Sequence, residues 1–512
     1  MYYKTTINHP LKFQRELKIE SRCWENNGNA QEEIKSREFT QEESEFIRAE
    51  VIDSATCMLT GERNELYTHL TRINNKLVDF YMCAEYETVL DFIEEIVLTE
   101  EKDYFRFSDL FLQILIEGSL AELLVASSDL LNSWSLSKNK DRIGKIYQKD
   151  NLCILLNILS SPEIRFLKYD NNGETQLNPN DLSKENKFKI RNNICSALIA
   201  VVSNETIELD VVPIIINQIP ELIDNIMRCK SLVIECVFNL LYTLIVKTPD
   251  LFDDDIADKI FESITSYFKS SIQPFGFRAF LKLCTLKKEI GVKYLNNLDA
   301  INKSMYRDNK ILEDSLKMLL EMLSSKNNDV FYKTINYLRC YEFLDFLLEY
   351  REIDNLFLIF IYQAYQTNSS IDTERSTQFL RLLMSKRIFN MIFYMASESA
   401  EDSMAPYEVR NISIVLLSIF LTDYLMPKEN YYLSYLTIAN NFILDCYDYG
   451  FDYILCCIYT IISIPDLIKN QKIFEKLNTL IIPSLNQALK TQDFSQYSEK
   501  INSILQKFAS YN

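Results

Sequence analysis

Residues 232–246 read LVIECVFNLLYTLIV, and this stretch decides the fold. It is apolar on nearly every side and contains neither Gly nor Pro. Polar atoms survive mainly at Glu235, Asn239 and Tyr242, spaced i, i+4, i+7, so a helix places them on one narrow face. A helix apolar almost all round is buried between neighbours and keeps only a strip for solvent or a partner. Lys247-Thr248-Pro249 closes the block.

Working outward, comparable blocks begin at Ile190, Leu232, Phe275, Ile311, Ile353, Val409 and Phe451, at intervals of 42, 43, 36, 42, 56 and 42 residues. Shorter amphipathic segments lie between them, such as 211–227, 256–268 and 377–396. A period of roughly 40–47 residues with two or three helices per unit marks a stacked helical array. The 56-residue interval holds the polar run Ser397–Met404, expected to be a loop that lengthens one repeat.

The bulk numbers agree. Only 8 Gly and 11 Pro in 512 residues leave too few turn formers for sandwiches or barrels. A 47% apolar content supports a large core. The net charge of −18 disfavours nucleic acid and anionic membrane as partners, since phosphate binding needs concentrated Lys and Arg. It allows an acidic groove that takes a basic peptide. The twelve Cys follow no framework spacing, and most lie in apolar helical runs, as free Cys does in reducing compartments. The first residues, MYYKTTINHPLKFQRELK, lack an apolar leader core, and the runs near 412–422 and 454–465 fall short of the ~18 residues that span a bilayer. Cytoplasm, or nucleus, is the expected compartment.

Before the array, residues 1–38 read as a polar N-terminal arm and 39–150 as helical capping repeats; 151–512 form the array proper. Thr40 and Glu43 have capping-box spacing and predict a helix start. Residues 31–65 carry ten acids against four bases, as a solvated capping end would. Helical patterns follow at 64–82, 85–99, 104–117 and 119–134, with 135–149 a polar link. The run 169–186, YDNNGETQLNPNDLSKEN, predicts a mobile surface loop inserted between two helices of one repeat.

The blocks LCILLNILSSPEI (152–164), KIRNNICSALIAVVSNET (189–206) and FNLLYTLIVKTPDLF (238–252) resemble the second and third helices of armadillo repeats. Armadillo repeats usually carry a Gly between the first two helices, and the scarcity of Gly makes these degenerate, or closer to HEAT repeats. The resemblance implies an all-α, right-handed α-solenoid whose third helices line a concave surface. The polar strip of those helices supplies the candidate protein-binding residues: Asn192 and Ser196, then Glu235, Asn239 and Tyr242, then Asn355 and Tyr362, then Asn411 and Thr460. The partner expected is a protein or an extended peptide. The alternative is a nuclear-transport adaptor similar to importin alpha, which reads basic signals with a Trp and an Asn four residues later. Ser196 and Asn239 stand near the Trp position here, and neither Trp24 nor Trp134 falls in these blocks.

Enzyme chemistry finds little purchase in the sequence. There are two His, His9 in the polar arm and His69 in an amphipathic helix, no CxxC pair and no Gly-rich phosphate loop. Asp253-Asp254-Asp255 reads as charge at the positive end of a following helix rather than as a cation site. Trp134 reads as a packing plug. No catalytic residue, cofactor or metal is expected.

Overall fold

The computed structural model describes residues 37–511 apart from 82, 101–102, 118–120, 161–166, 170–174, 178–183, 205–211, 229–233, 269–273, 301–307, 341–343, 345–353, 387, 398–406, 424–428 and 445–449. Residues 1–36 of the N-terminal arm, with His9 and Trp24, lie outside that set. No described helix is long and apolar enough to cross a membrane. The described chain is helical apart from two short hairpins, and it forms two compact units, Met1–Leu251 and Phe252–Asn512. The sequence division at 150/151 falls inside the first unit, within the helix Lys149–Ser160.

In the first unit, α1 (Gln41–Thr60), α2 (Arg63–Phe80) and α3 (Tyr86–Glu95) precede the hairpin β1 (Leu98–Glu100) and β2 (Asp103–Phe105). Then come α4 (Phe107–Glu117), α5 (Ala121–Ser135), α6 (Lys140–Ile146) and α7 (Lys149–Ser160). Strands β3 (Leu167–Tyr169) and β4 (Thr175–Leu177) precede α8 (Lys184–Ser203), α9 (Val212–Arg228) and α10 (Ile234–Lys247). Two rows result: α2, α5, α8 and α10 pack in succession, and α4, α7 and α9 stack beside them. This repeated pairing is an α-solenoid, in which each unit covers the apolar face its neighbour cannot bury alone.

The cause is visible in α10. Ile234, Val237, Phe238, Leu240, Leu241, Leu244 and Ile245 are all buried, leaving the strip through Glu235, Asn239 and Tyr242 half-open. Each such apolar side chain contributes about 1.5–3 kcal/mol. The start of α1 follows its capping box: Glu43 N donates to Thr40 Oγ1 at 3.2 Å, and Thr40 N donates to Glu43 Oε2 at 3.3 Å. Trp134 is a packing plug, fully buried between Phe107 and Phe111, with Nε1 donating to Glu94 Oε1 at 3.1 Å.

Two polar stretches differ from the sequence expectation. The link 135–149 contains α6, started by Asn139, whose Oδ1 accepts from Asp141 N and Arg142 N. Arg142 is buried there, bonded to Glu87 at 2.6 Å and to Asp91, so its charge serves packing across α3 and α6. Within 169–186, Tyr169 pairs with Thr175 in a hairpin and α8 already begins at Lys184. Residues 170–174 and 178–183 of that expected loop lie outside the described set.

The second unit runs through α11 (Asp254–Phe268), α12 (Pro274–Leu286), α13 (Lys288–Gly291), a 3-10 segment (Val292–Ala300), α14 (Asn309–Leu323), α15 (Asn328–Cys340) and α16 (Asp354–Ile371). It continues with α17 (Thr373–Ser385), α18 (Ile388–Ser397), α19 (Tyr407–Asp423), α20 (Glu429–Leu444) and α21 (Phe451–Ser463). Short helices α22 (Pro465–Ile468), α23 (Gln471–Lys476) and α24 (Ile482–Ala488) lead to α25 (Ser498–Ala509). Here α12, α14, α16, α19, α21 and α25 form one row, and the other helices stack beside it. The 56-residue interval carries an extra helix: its amphipathic segment 377–396 is divided between α17 and α18. The three acids at 253–255 are a cap, with Ile256 N donating to Asp253 Oδ1 at 2.8 Å.

Candidate functional site: a polar strip on the first unit

Helices α8 and α10 bring five of the nine candidate residues together. Asn192 and Ser196, one turn apart on α8, and Glu235, Asn239 and Tyr242 on α10 are all half-buried. Asn192 Oδ1 accepts from Cys236 Sγ at 2.9 Å, which ties the two helices along the strip. Burial, with Glu235 beside it, pushes the Cys236 thiol up to about 11, so near neutral pH it keeps the proton that this bond uses. Thr243 Oγ1 donates to the backbone O of Asn239 at 2.9 Å.

The same stitching recurs along the row. Ser133 Oγ of α5 donates to Asn74 Oδ1 of α2 at 2.8 Å. Asp129 of α5 accepts from Asn193 Nδ2 at 2.6 Å and from Lys189 Nζ at 2.8 Å, both on α8. Short polar pairs thus join α2 to α5, α5 to α8 and α8 to α10. Sequence reasoning missed Asn74, Asp129 and Asn193. Their polar positions are legible, but their pairing is set by the register of helices about 60 residues apart.

The remaining candidates belong to the second unit. Tyr362 on α16 places its hydroxyl 3.2 Å from that of Tyr453 on α21. Helices α16 and α21 flank α19 in the row, so this contact spans α19. Beneath it α19 is buried at every residue from Val409 to Leu421. Asn411 is only 3% exposed and therefore is not an accessible contact residue, contrary to expectation; among the described residues its Oδ1 has no hydrogen-bond partner. A polar residue flanked by apolar ones reads as a solvent strip, but here the next repeat has closed over it. Thr460 is half-buried and returns its hydroxyl to Cys456 O at 2.9 Å. The side chain of Asn355 lies outside the described residues.

Among the described residues the one histidine is engaged. His69 Nδ1 lies 2.6 Å from Glu50 Oε2, and Arg72 Nη1 lies 3.1 Å from Glu50 Oε1. Glu50 is buried, so the Arg72 charge and the His69 hydrogen bond hold a carboxylate of α1 and tie α2 to it. A shallow cleft of about 360 Å³ in the second unit is lined by Leu433, Lys472, Glu475, Lys476, Thr479 and Leu480. Its two lysines are engaged: Lys476 Nζ donates to Leu433 O at 3.0 Å, and Lys472 Nζ lies 3.7 Å from Glu429.

No family model matches the chain, and no curated protein matches it. Several solved structures are similar. An engineered protein shares 11% identity at a TM-score of 0.47, covering 90% of this chain and 99% of its own. The TSC2 N-terminus shares 11% identity at a TM-score of 0.32, with the same coverage of 90% and 99%. The karyopherin Kap121p, solved bound to the extreme C-terminus of the protein phosphatase Cdc14p, shares 13% identity at a TM-score of 0.30, over 98% of this chain and 56% of its own. At TM-scores below 0.5 these likenesses carry no functional weight.

Proposed function

We propose that the chain is a non-enzymatic helical-repeat scaffold that binds another protein, as an extended peptide, along the α8–α10 strip. The observation that carries this is the grouping of Asn192, Ser196, Asn239 and Tyr242 as half-open polar and aromatic positions on two neighbouring helices. Asn amides satisfy the backbone groups of an extended chain, and Tyr gives contact area at low entropy cost. The acidity of the whole chain favours a basic peptide as occupant.

An import adaptor of the importin-alpha type gains no support from the strip. That mode of reading uses a Trp, and Trp134 is buried in packing while Trp24 lies outside the described residues. The test is a photo-crosslinking amino acid placed at Ser196, with the same group at Gln218, exposed on α9, as control. In cells, the Ser196 position captures a discrete partner that the Gln218 position does not. Equal capture by both, or capture from Gln218 alone, contradicts the proposal.

A further inference from the structure

The reversal between α1 and α2 gathers three metal-ligating side chains. Gly61, at φ +79°, takes the left-handed conformation that turns the chain, and Glu62 N donates to Cys57 O at 3.0 Å. The turn folds Glu62, which precedes α2, and Glu65, in its first turn, back onto Cys57 in the last turn of α1. The Cys57 sulfur and one carboxylate oxygen from each glutamate all lie within 4.8 Å of one another.

A second observation separates this group from ordinary surface acids. Cys57 is only 3% exposed, and no hydrogen bond to its sulfur occurs among the described residues, while both glutamates are exposed. The sulfur is thus fixed in the packed turn and aimed between two movable carboxylates. The two carboxylates that meet the sulfur repel one another at this distance. The negative end of α1 closes over the same point, with no basic residue in its last turn. A cation converts that mutual repulsion into attraction.

We propose that Cys57, Glu62 and Glu65 bind a zinc ion, with water completing the shell. One thiolate and two carboxylates suit zinc better than calcium or magnesium, which take oxygen donors alone. Zinc needs donors at roughly 2.0–2.3 Å, and rotamer changes at the exposed glutamates close the cluster that far. The thiol gives up its proton as the S–Zn bond forms, Cys-SH + Zn²⁺ → Cys-S–Zn⁺ + H⁺, so affinity rises with pH. The spacing C-x4-E-x2-E matches no standard zinc pattern, because the site depends on a helix reversal at Gly61 that a linear motif does not display.

The test uses the full chain, stripped with a chelator and titrated with Co²⁺ as a spectroscopic stand-in for zinc. Wild type develops a thiolate-to-cobalt charge-transfer band at one equivalent, and Zn²⁺ displaces it. Cys57→Ser abolishes the band, while Cys153→Ser, at an exposed cysteine outside the cluster, retains it. The double variant Glu62→Gln/Glu65→Gln, altered only at exposed side chains, stays folded and binds at least tenfold more weakly. Zinc raises the melting temperature of wild type and not of Cys57→Ser. Absence of the band in wild type, its persistence in Cys57→Ser, or unchanged affinity in the double variant overturns the proposal.

Discussion

Leu241 and Asn239 stand two residues apart on α10 and do opposite work. Leu241 is fully buried, and Leu241→Ala is expected to destabilise the protein by ~2–5 kcal/mol through the cavity it leaves. Asn239→Ala, on the half-open strip, is expected to change stability by only ~0.5 kcal/mol. Urea titration of both variants checks this; a cost at Asn239 near that of Leu241 would place the strip inside the core. Trp134→Ala is expected to cost ~3–5 kcal/mol because it empties the space between Phe107 and Phe111. At this scale the sequence was informative wherever a residue's neighbours lie one turn away. The capping pair Thr40 and Glu43, the cap at Asp253 and the strip on α10 were all legible. Asn411 was not, because its burial is decided by the repeats on either side of it. The carboxylate partners of Arg142 and the partner Asn193 of Asp129 were hidden for the same reason: each lies 50 residues or more away.

Elements are held at their ends, and two glycines show how. Gly61 and Gly450 both adopt positive φ, +79° and +83°. A Cβ at Gly61 meets nothing within 4 Å, so Gly61→Ala is expected to cost only the left-handed strain, about 1–2 kcal/mol. A Cβ at Gly450 would stand 2.6 Å from Val415 Cγ2 on the buried helix α19. Gly450→Ala is therefore expected to be the more damaging of the two, and to unfold the second unit first. Thermal melts of the two variants, with hydrogen exchange read separately over 252–512, decide it; equal effects would contradict the close packing of Gly450 on α19. Helix existence was legible because apolar spacing repeats within each block. Helix division was less so: α6 hides in a polar stretch because it is short and buries Arg142 beside only two apolar residues, Ile143 and Ile146, and α18 looked like part of a longer segment.

At the scale of the whole molecule, each unit is a double row whose register brings polar pairs and phenols into the interior. Tyr86 donates to Ser133 O at 2.6 Å, Tyr147 bonds Ser135, and Tyr435 shares a 2.8 Å bond with Ser418. Burial holds all three phenols well above the usual tyrosine range. The unfolded chain ionises these groups near about pH 10, while the folded chain keeps their protons, so stability falls as pH rises past that point. The urea midpoint is expected to drop between pH 8 and pH 11, and Tyr147→Phe with Tyr435→Phe is expected to flatten the drop. An unchanged slope in that variant would mean the phenols ionise in place. The solenoid plan was legible from the block interval alone, whereas the closing of the second unit's strip over α19 was not. The burial of α19 is set by the packing of α16, α18 and α21 against it, a register that no single block displays. The most direct test of the scaffold proposal is quantitative affinity capture with mass spectrometry, comparing wild type, Asn239→Ala/Tyr242→Ala and Leu241→Ala at matched expression. The Asn239/Tyr242 variant is expected to lose its specific partners while retaining the melting temperature of wild type. An unchanged set of partners, or loss of partners only in step with the unfolding seen for Leu241→Ala, would contradict it.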